Sequence, residues 1–484
     1  GDPLISFVER AGQSQVLTFP DDPFTSYFSG NPVQICPVGA LTAKPYRFRA
    51  RPWDLAEVET SCQACAVGCR GALQSSSDRI ERFLAVDSEP VNHGWLCDKG
   101  RFGFDYVHSS DRVSAPMVRK DHEMVEVSWP EALDAAAERL SEAIRLHGPE
   151  SVAVVGGARG MNEDAYVWAR FVKGVLRSDN FDCQLGDGLP AEVTQGLPRA
   201  TIADCDNAKA VVLLGSDLKE DLPVLYLRLR RAAVELGIPL IDIAARDSGL
   251  SRYASAKVRH LPGDAGSVVE RLVAAAGTLD LTGDPDLDAA AAALRDETRA
   301  GDVVVVLGRS SLAERPEAIV RAAASLAALP GVRFLSALRR GNVHGALDMG
   351  LAPGMLPGRV TLDEGRAWFE DAWGGLPATR GLDTEGILRA AAGGKIRTLI
   401  ILGSNVISDF PDRALANRAL GAIGSVIAVG AFVTEASKYS DVVLPAALWG
   451  EKSGTTTNIE GRVLRLARKV TPAGTSLSDW RIAA

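Results

Sequence analysis

The sequence predicts an α/β fold, with doubly wound parallel sheets preceded by a small, loop-rich domain that carries most of the cysteines. Three observations predict it. Continuous apolar runs such as Ala210–Leu214, Val303–Leu307 and Thr398–Leu402 alternate with helical segments, as strands buried on both faces do. Five of the seven cysteines (36, 62, 65, 69 and 97) lie in the first fifth of the chain. The 484 residues give room for roughly three domains and large cores.

Taken in order, residues 1–50 hold Pro32, Pro37 and Pro45 with Gly30 and Gly39, so loops are expected to dominate. Residues 55–110 show little hydrophobic periodicity, and a domain with so thin a core needs a metal to hold it. The character changes at Ser128-Trp-Pro-Glu131, a capping box with proline in the first turn. Leu133, Ala137, Leu140 and Ile144 then recur at helical spacing, and Gly148-Pro149 ends the helix. Ser151–Val155 predicts a strand, Gly156-Gly157 a turn, and the next helix runs through Phe171 and Leu176.

The alternation recurs three times. Ala210–Leu214 leads to a helix around Val224–Leu236 and a strand at Pro239–Ile243. Val303–Leu307 leads to a helix around Ala318–Leu326 and a strand at Val332–Leu335. Thr398–Leu402 leads to a helix around Ala414–Leu420 and a strand at Val426–Val429. Residues 279–300, acidic and alanine-rich, read as a helix or linker.

Composition excludes several classes. A net charge of −8 without a dense Lys/Arg tract argues against nonspecific nucleic-acid binding. No apolar run reaches the ~18 residues a membrane helix needs. An odd cysteine count in a large chain without a visible signal peptide points to metal binding in a reducing, cytosolic compartment. Gly1 stands where Met would open a gene product, as in a fragment, a processed chain or a trimmed one.

The cysteine spacing is Cys62-x2-Cys65-x3-Cys69, then 27 residues, then Cys97. A tight triplet plus one remote thiolate suits a [4Fe–4S] cubane. Structural zinc prefers two separated Cys pairs, and it remains the alternative together with four unrelated thiols. Gly68, Gly94 and Gly100 would let backbone amides approach the sulfurs and tune the potential. His93 reads as an exposed loop residue. Cys36, in Ile35-Cys36-Pro37-Val38-Gly39, is either a buried free thiol or the last ligand of a second cluster whose triplet lies upstream.

Phe28-Ser-Gly-Asn-Pro-Val-Gln-Ile-Cys36-Pro-Val-Gly-Ala-Leu-Thr42, then Tyr46-Arg-Phe-Arg-Ala-Arg-Pro-Trp53-Asp54, then the four-cysteine motif, resembles the large iron–sulfur subunit of bacterial respiratory complex I (the G subunit of NADH-quinone oxidoreductase). The 26-residue step from Cys36 to Cys62 is also similar to that family. Asn92-His-Gly-Trp-Leu-Cys97-Asp-Lys-Gly-Arg-Phe-Gly103, Val127–Leu133, Asn342–Gly350, Asp441–Pro445 and Glu451–Arg462 resemble the wider molybdopterin oxidoreductase superfamily.

The resemblance implies domains at 1–54 (the end of a ferredoxin-like cluster domain and a linker), 55–112 (a [4Fe–4S] domain) and 113–484 (molybdopterin-oxidoreductase-like α/β lobes). It implies a [4Fe–4S] cluster on Cys62, Cys65, Cys69 and Cys97, lying off the main electron route. It implies a second [4Fe–4S] cluster on that route, with Cys36 as fourth ligand, and a [2Fe–2S] cluster in the full-length subunit. The expected partners are other peripheral-arm subunits, including the flavin/NADH-binding one, at the cytoplasmic face of the bacterial inner membrane. This chain alone is not expected to be catalytic.

Molybdopterin is not expected either. In Asn180-Phe-Asp-Cys183-Gln-Leu-Gly-Asp187-Gly188, Cys183 comes too early for the superfamily's metal ligand and lacks an activating base or cation. It reads as structural, and Cys205 as a small buried hydrophobe. Gly156-Gly157-Ala-Arg-Gly160 lacks a full GxGxxG pattern and reads as a tight turn; Gly450-Glu-Lys452-Ser453 lacks the first P-loop glycine. Trp449 and Trp480 read as packing residues. The rival enzyme reading is a catalytic molybdopterin-dependent subunit such as that of an NAD-linked formate dehydrogenase.

Overall fold

The computed structural model describes residues 5–18, 24–88, 90–278, 281–296, 298, 301–309 and 313–484. Gly1 lies outside them.

Two parallel sheets carry the large part of the chain. The first has seven strands in the order Glu123–Glu126, Met117–Lys120, Val442–Pro445, Ser425–Gly430, Thr398–Leu402, Val152–Gly156, Phe181–Asp182. Its first two strands run antiparallel and the rest are parallel. The second has five parallel strands in the order Ala256–Arg259, Leu240–Ala244, Ala210–Leu214, Val303–Leu307, Val332–Ser336. The central strands of both sheets are buried along their whole length, which is why they read as unbroken Val/Ile/Leu runs.

The second sheet is inserted between strands of the first. After Val152–Gly156 the chain adds Phe181–Asp182 on one side, builds the second sheet, and returns at Thr398–Leu402 on the other side. The strand order therefore reverses between Val152–Gly156 and Thr398–Leu402. Their carboxyl ends open a crevice of the kind that binds ligands in open α/β sheets.

Helix signals are honoured in part. Ser128 caps Trp129–His147 by accepting the Glu131 N–H at 3.4 Å. The other arm of the expected capping box does not form, because the Glu131 carboxylate turns to Lys120 at 2.6 Å. Within 279–300, Pro285–Arg295 is a helix capped by Asp284; residues 279, 280, 297, 299 and 300 lie outside the described residues.

The N-terminal region is more regular than expected. Ser6–Arg10 and Gln13–Leu17 pair as an antiparallel hairpin, and Gly30–Ile35 is a short helix ending at Cys36. The cysteine-bearing segment is not mainly loop. Ala56–Ser61, Arg70–Ser76 and Arg79–Ala85 form a three-stranded antiparallel sheet. Its core is not thin either: Leu73, Ile80 and Phe83 are fully buried in one apolar cluster continuous with the large part of the chain. Sequence periodicity understated this core because its other half comes from distant residues such as Trp449, which meets Phe83 edge-on at 5.0 Å.

Candidate iron–sulfur centre and adjoining cleft

The strand Ala56–Ser61 runs into Cys62, and Arg70–Ser76 leaves from Cys69. Ser61 faces Arg70 in the register, and the Cys62 N–H donates to the Cys69 carbonyl at 2.8 Å. Residues 62–69 are thus the closed end of a hairpin, with two cysteines at its base and Cys65 at its tip. Cys97 arrives from elsewhere as the N-cap of the helix Asp98–Phe102. A Cβ on Gly100 would lie 2.8 Å from Cys62 Sγ and 3.9 Å from Cys97 Sγ, so glycine there gives the two sulfurs room.

Cys62, Cys69 and Cys97 are buried and Cys65 is half-buried. Burial pushes the Cys62 thiol up to about 12, and the Cys97 thiolate adds repulsion. Burial also raises Cys65, Cys69 and Cys97, and the first two feel the other thiolates as well. Backbone N–H groups oppose the rise: Ala64 donates to Cys62 Sγ at 3.4 Å, and those of Val67, Lys99 and Gly100 act on Cys65 and Cys97. Thiols raised by burial stay protonated near neutral pH unless a cation takes them up as thiolates. Among the described residues no three His, Cys, Asp or Glu side chains are placed to hold one ion; a cubane, with an iron at each of four corners, tolerates wider sulfurs than a zinc ion with ~2.3 Å bonds. The chemistry and gathering of the four thiols fit a [4Fe–4S] cluster.

Distant segments wall this hairpin. The fully buried Asn92 accepts the Arg70 N–H at 3.0 Å and donates to the Arg70 carbonyl at 3.2 Å and the Trp95 carbonyl at 2.9 Å. Asn458 donates to the Val67 carbonyl at 3.2 Å, and the Ile459 N–H donates to Ala66 at 2.8 Å. The Trp449 indole N–H donates to the Ser61 carbonyl at 2.9 Å, so this tryptophan packs and anchors. Gly341 presses on the Gln63 backbone, where a Cβ would meet the Gln63 oxygen at 2.2 Å. Asn342 accepts the Thr457 N–H at 2.8 Å and donates to Gly160 at 3.0 Å. The 342–350 and 451–462 motifs, distinctive in sequence but without an assigned task, meet here. Nothing local marked Asn92, Asn342 or Asn458 as site residues.

Cys36 stands apart from the four. It is half-buried and its thiol lies 3.0 Å from the Val38 carbonyl. Its helix is nonetheless keyed to the Cys97 loop. The Asp98 carboxylate accepts the Ser29 and Gly30 N–H groups at 2.9 and 2.8 Å. Asn31 donates to the Leu96 carbonyl at 2.9 Å and accepts the Leu96 N–H at 3.1 Å. Arg101 spans the two helices, donating to Asn31 at 2.7 Å and Gln34 at 2.6 Å; burial pulls its guanidinium down to about 10.

Beside the cysteines lies a cleft of about 510 Å³ lined by Cys62, Gln63, Lys99, Gly157, Arg159 and Lys452, among others, at the crevice where the strand order reverses. Gly156 and Gly157 both have φ +97, which makes the turn there tight. A neighbouring space of about 310 Å³ touches Cys65, Cys97, Asp187, Arg339 and Arg340.

Residues 112–484 match the family model for molybdopterin oxidoreductase. The chain belongs to the molybdopterin oxidoreductase family. Residues 55–109 match that family's Fe4S4 domain, and residues 1–42 match the ferredoxin-like domain of NADH-quinone oxidoreductase subunit 3. The chain is 36% identical over 96% of its length to the NADH-quinone oxidoreductase G subunit of Streptomyces coelicolor, covering 56% of that protein. It is 31% identical over 99% of its length to the NADPH-Fe(3+) oxidoreductase subunit alpha of Geobacter sulfurreducens, covering 61% of it. The chain thus spans little more than half the length of these relatives. Among solved structures, acetylene hydratase from Pelobacter acetylenicus shares the fold, with a TM-score of 0.61 at 18% identity over 88% of this chain and 68% of that one.

The cleft's cations face carboxylates. Lys452 bonds Asp164 at 2.7 Å and Asp479 at 2.6 Å. Arg340 takes both oxygens of Asp187, at 2.7 and 3.1 Å. Arg339 reaches Asp221 at 3.3 Å, Arg159 reaches Asp409 at 3.2 Å, and Lys99 lies 3.7 Å from Glu220. The thiols lining the two spaces are Cys62, Cys65 and Cys97. Cys183 is fully buried in the apolar core, its N–H bonded to the Leu351 carbonyl at 3.1 Å, and burial holds its thiol well above the usual range. Cys205 is likewise buried and raised by burial.

Proposed function

We propose that the chain is an iron–sulfur electron-transfer and scaffold part of a proton-pumping NADH:quinone oxidoreductase, with Cys62, Cys65, Cys69 and Cys97 holding a [4Fe–4S] cluster. The observation that carries this is the gathering of four thiols, Cys62 and Cys69 at the base of one hairpin, Cys65 at its tip and Cys97 from a separate helix, in a chain similar along nearly its whole length to the large iron–sulfur subunit of that complex. When bound, the cluster supplies one-electron transfer. The chain's own residues bind it through the four thiolates and keep water out with Trp449, Asn458 and Phe83. Backbone N–H groups at Ala64 and Gly100 adjust its potential. No side chain is assigned a proton or hydride step, so this chain alone is not catalytic.

Cys36 is the fourth ligand of a second [4Fe–4S] cluster whose other cysteines lie outside this sequence, and a [2Fe–2S] cluster belongs to the complete subunit. Residues 1–54, 55–112 and 113–484 act as the end of one cluster domain with its linker, a second cluster domain, and α/β lobes that serve as scaffold. The paired cations of the cleft and the core position of Cys183 support a scaffold free of molybdopterin chemistry. No described helix is long and apolar enough to cross a membrane, and the chain sits peripherally at the cytoplasmic face, beside the flavin/NADH-binding subunit and other peripheral-arm partners.

The test is metal and sulfide analysis of anaerobically purified protein, with EPR after reduction. About four iron and four labile sulfide per chain are expected from one cubane, and about eight iron if Cys36 is supplied with its triplet. Zinc in place of iron removes the electron-transfer reading, and stoichiometric molybdenum replaces it with an enzyme.

A further inference from the structure

Arg101 is 3% exposed. Both of its bonded partners are neutral carboxamides, Gln34 through Nη1 and Asn31 through Nη2, and its Nε has no partner. The charges acting on it are those of Asp98 and Cys97, and the Asp98 carboxylate is already committed to Ser29 and Gly30. A guanidinium buried against amides alone is costly unless a negative charge stands nearby. Asp98 supplies part of that charge, and Cys97, whose carbonyl accepts the Arg101 N–H at 2.9 Å, supplies more once its thiolate carries a cluster. A cubane with four thiolate ligands is net negative and gains one more negative charge on reduction.

The same side chain is a mechanical link. Asn31 and Gln34 are three apart on the helix Gly30–Ile35 and therefore project from one face, and both meet Arg101. A Cβ on Gly30 would lie 2.1 Å from Arg101 Cδ, so the helix that ends at Cys36 rests directly on the arginine stem. Gln34 is pinned in turn by the Ala85 N–H at 3.1 Å and the Ala85 carbonyl at 2.8 Å.

We propose that Arg101 is a positioning residue shared by the two thiolate sites and that its guanidinium is the counter-charge favouring the reduced Cys62–Cys97 cluster. This rests on the assignment of those four cysteines to a [4Fe–4S] cluster. Arg101 touches no ligand sulfur; it acts through space on the cluster and through Asn31 and Gln34 on the helix bearing Cys36.

The experiment is an EPR-monitored redox titration of the Cys62–Cys97 cluster in the full chain within its complex, for wild type, Arg101→Gln, Arg101→Lys and Gln34→Glu. Gln34→Glu leaves Arg101 in place and neutralises it with a near-isosteric carboxylate. Arg101→Gln and Gln34→Glu are expected to shift the reduction equilibrium about tenfold toward the oxidised form, ~59 mV downward for a one-electron couple, with iron content unchanged. Arg101→Lys keeps the charge and is expected to keep the wild-type midpoint. An unmoved midpoint in Arg101→Gln or Gln34→Glu, an equal shift in Arg101→Lys, or loss of the cluster in all three variants overturns the proposal. Absence of a cluster signal in wild type is a failure of the cluster assignment instead, and it is seen before any variant is compared.

Discussion

Asn92 and Arg70 bond each other in both directions: the Asn92 carboxamide accepts the Arg70 N–H at 3.0 Å and returns a bond to the Arg70 carbonyl at 3.2 Å. Arg70 follows Cys69, and Asn92 lies five residues before Cys97. One buried side chain therefore joins the triplet to the remote cysteine, as a backbone strand would.

Asn92→Ala leaves the Arg70 N–H and the Trp95 carbonyl buried without partners. Each such group costs about 1–3 kcal/mol, so a loss of roughly 3 kcal/mol is expected, with lower iron occupancy at the Cys62–Cys97 site. Denaturant unfolding and iron analysis of the anaerobic variant check it; an Asn92→Ala chain with full iron and unchanged midpoint refutes the joining role.

Gly68 has φ +68, and a Cβ there would lie 2.5 Å from Leu464 Cδ1 and 2.9 Å from Asn458 Cβ. Gly68→Ala adds left-handed strain and a clash, about 1–3 kcal/mol, at the end of the cysteine hairpin. Adding Leu464→Ala removes the nearer contact and is expected to recover part of that loss but not the strain. Comparison of the single and double variants by thermal unfolding reads the two contributions separately.

In the metal-free chain the raised thiols make stability depend on alkaline pH. Cys62 stands at about 12, raised by burial from an ordinary 9.0, and its three companions are raised too. The folded state holds these protons after the unfolded chain has begun to release them near pH ~8.5. Stability is therefore complete below that pH and falls as pH climbs toward the folded value, by up to ~1.4 kcal/mol per pH unit for each thiol. Urea midpoints of the metal-free chain are expected to drop between about pH 8 and 10.5. The iron-loaded chain, with its sulfurs already deprotonated, is expected to lack this slope.

Arg112 and Glu451 form a buried two-pronged pair, with both N–O distances 2.9 Å and side chains 4% and 2% exposed. It fastens the end of the cysteine domain to the segment after Val442–Pro445. Arg112→Met leaves a carboxylate buried alone and is expected to cost about 3–5 kcal/mol. Arg112→Met with Glu451→Gln is expected to recover most of it. A double-mutant cycle by chemical denaturation measures the coupling, and additive losses would show that the pair contributes nothing.

The buried parallel strands were the most legible part of the sequence. Val303–Leu307 and Thr398–Leu402 coincide with the structure residue for residue, because a strand covered on both faces is apolar without interruption. The three strands of residues 56–85 were missed because they are polar: Ala56–Ser61 carries two glutamates, and Arg70–Ser76 buries glycine, glutamine and serine beside Ala72 and Leu73. The four clustered cysteines were legible because their spacing is local. Asn458 was not, since its partner at Val67 is 391 residues away. Arg101 reads as an ordinary surface arginine until the helix Gly30–Ile35 is laid across it.

The hairpin that carries Cys62–Cys69 leans on Gly341, Trp449, Asn458 and Ala467, the last donating its N–H to Thr60 at 3.1 Å. Ala467 leaves the ribosome 370 residues after Cys97, roughly 20–75 s later at ~5–20 residues per second. During that interval all four cysteines are made while the last segment that packs on their hairpin has yet to be translated. The cysteine hairpin therefore stands without its packing partners through most of synthesis, and its final ordering waits on residues 449–467.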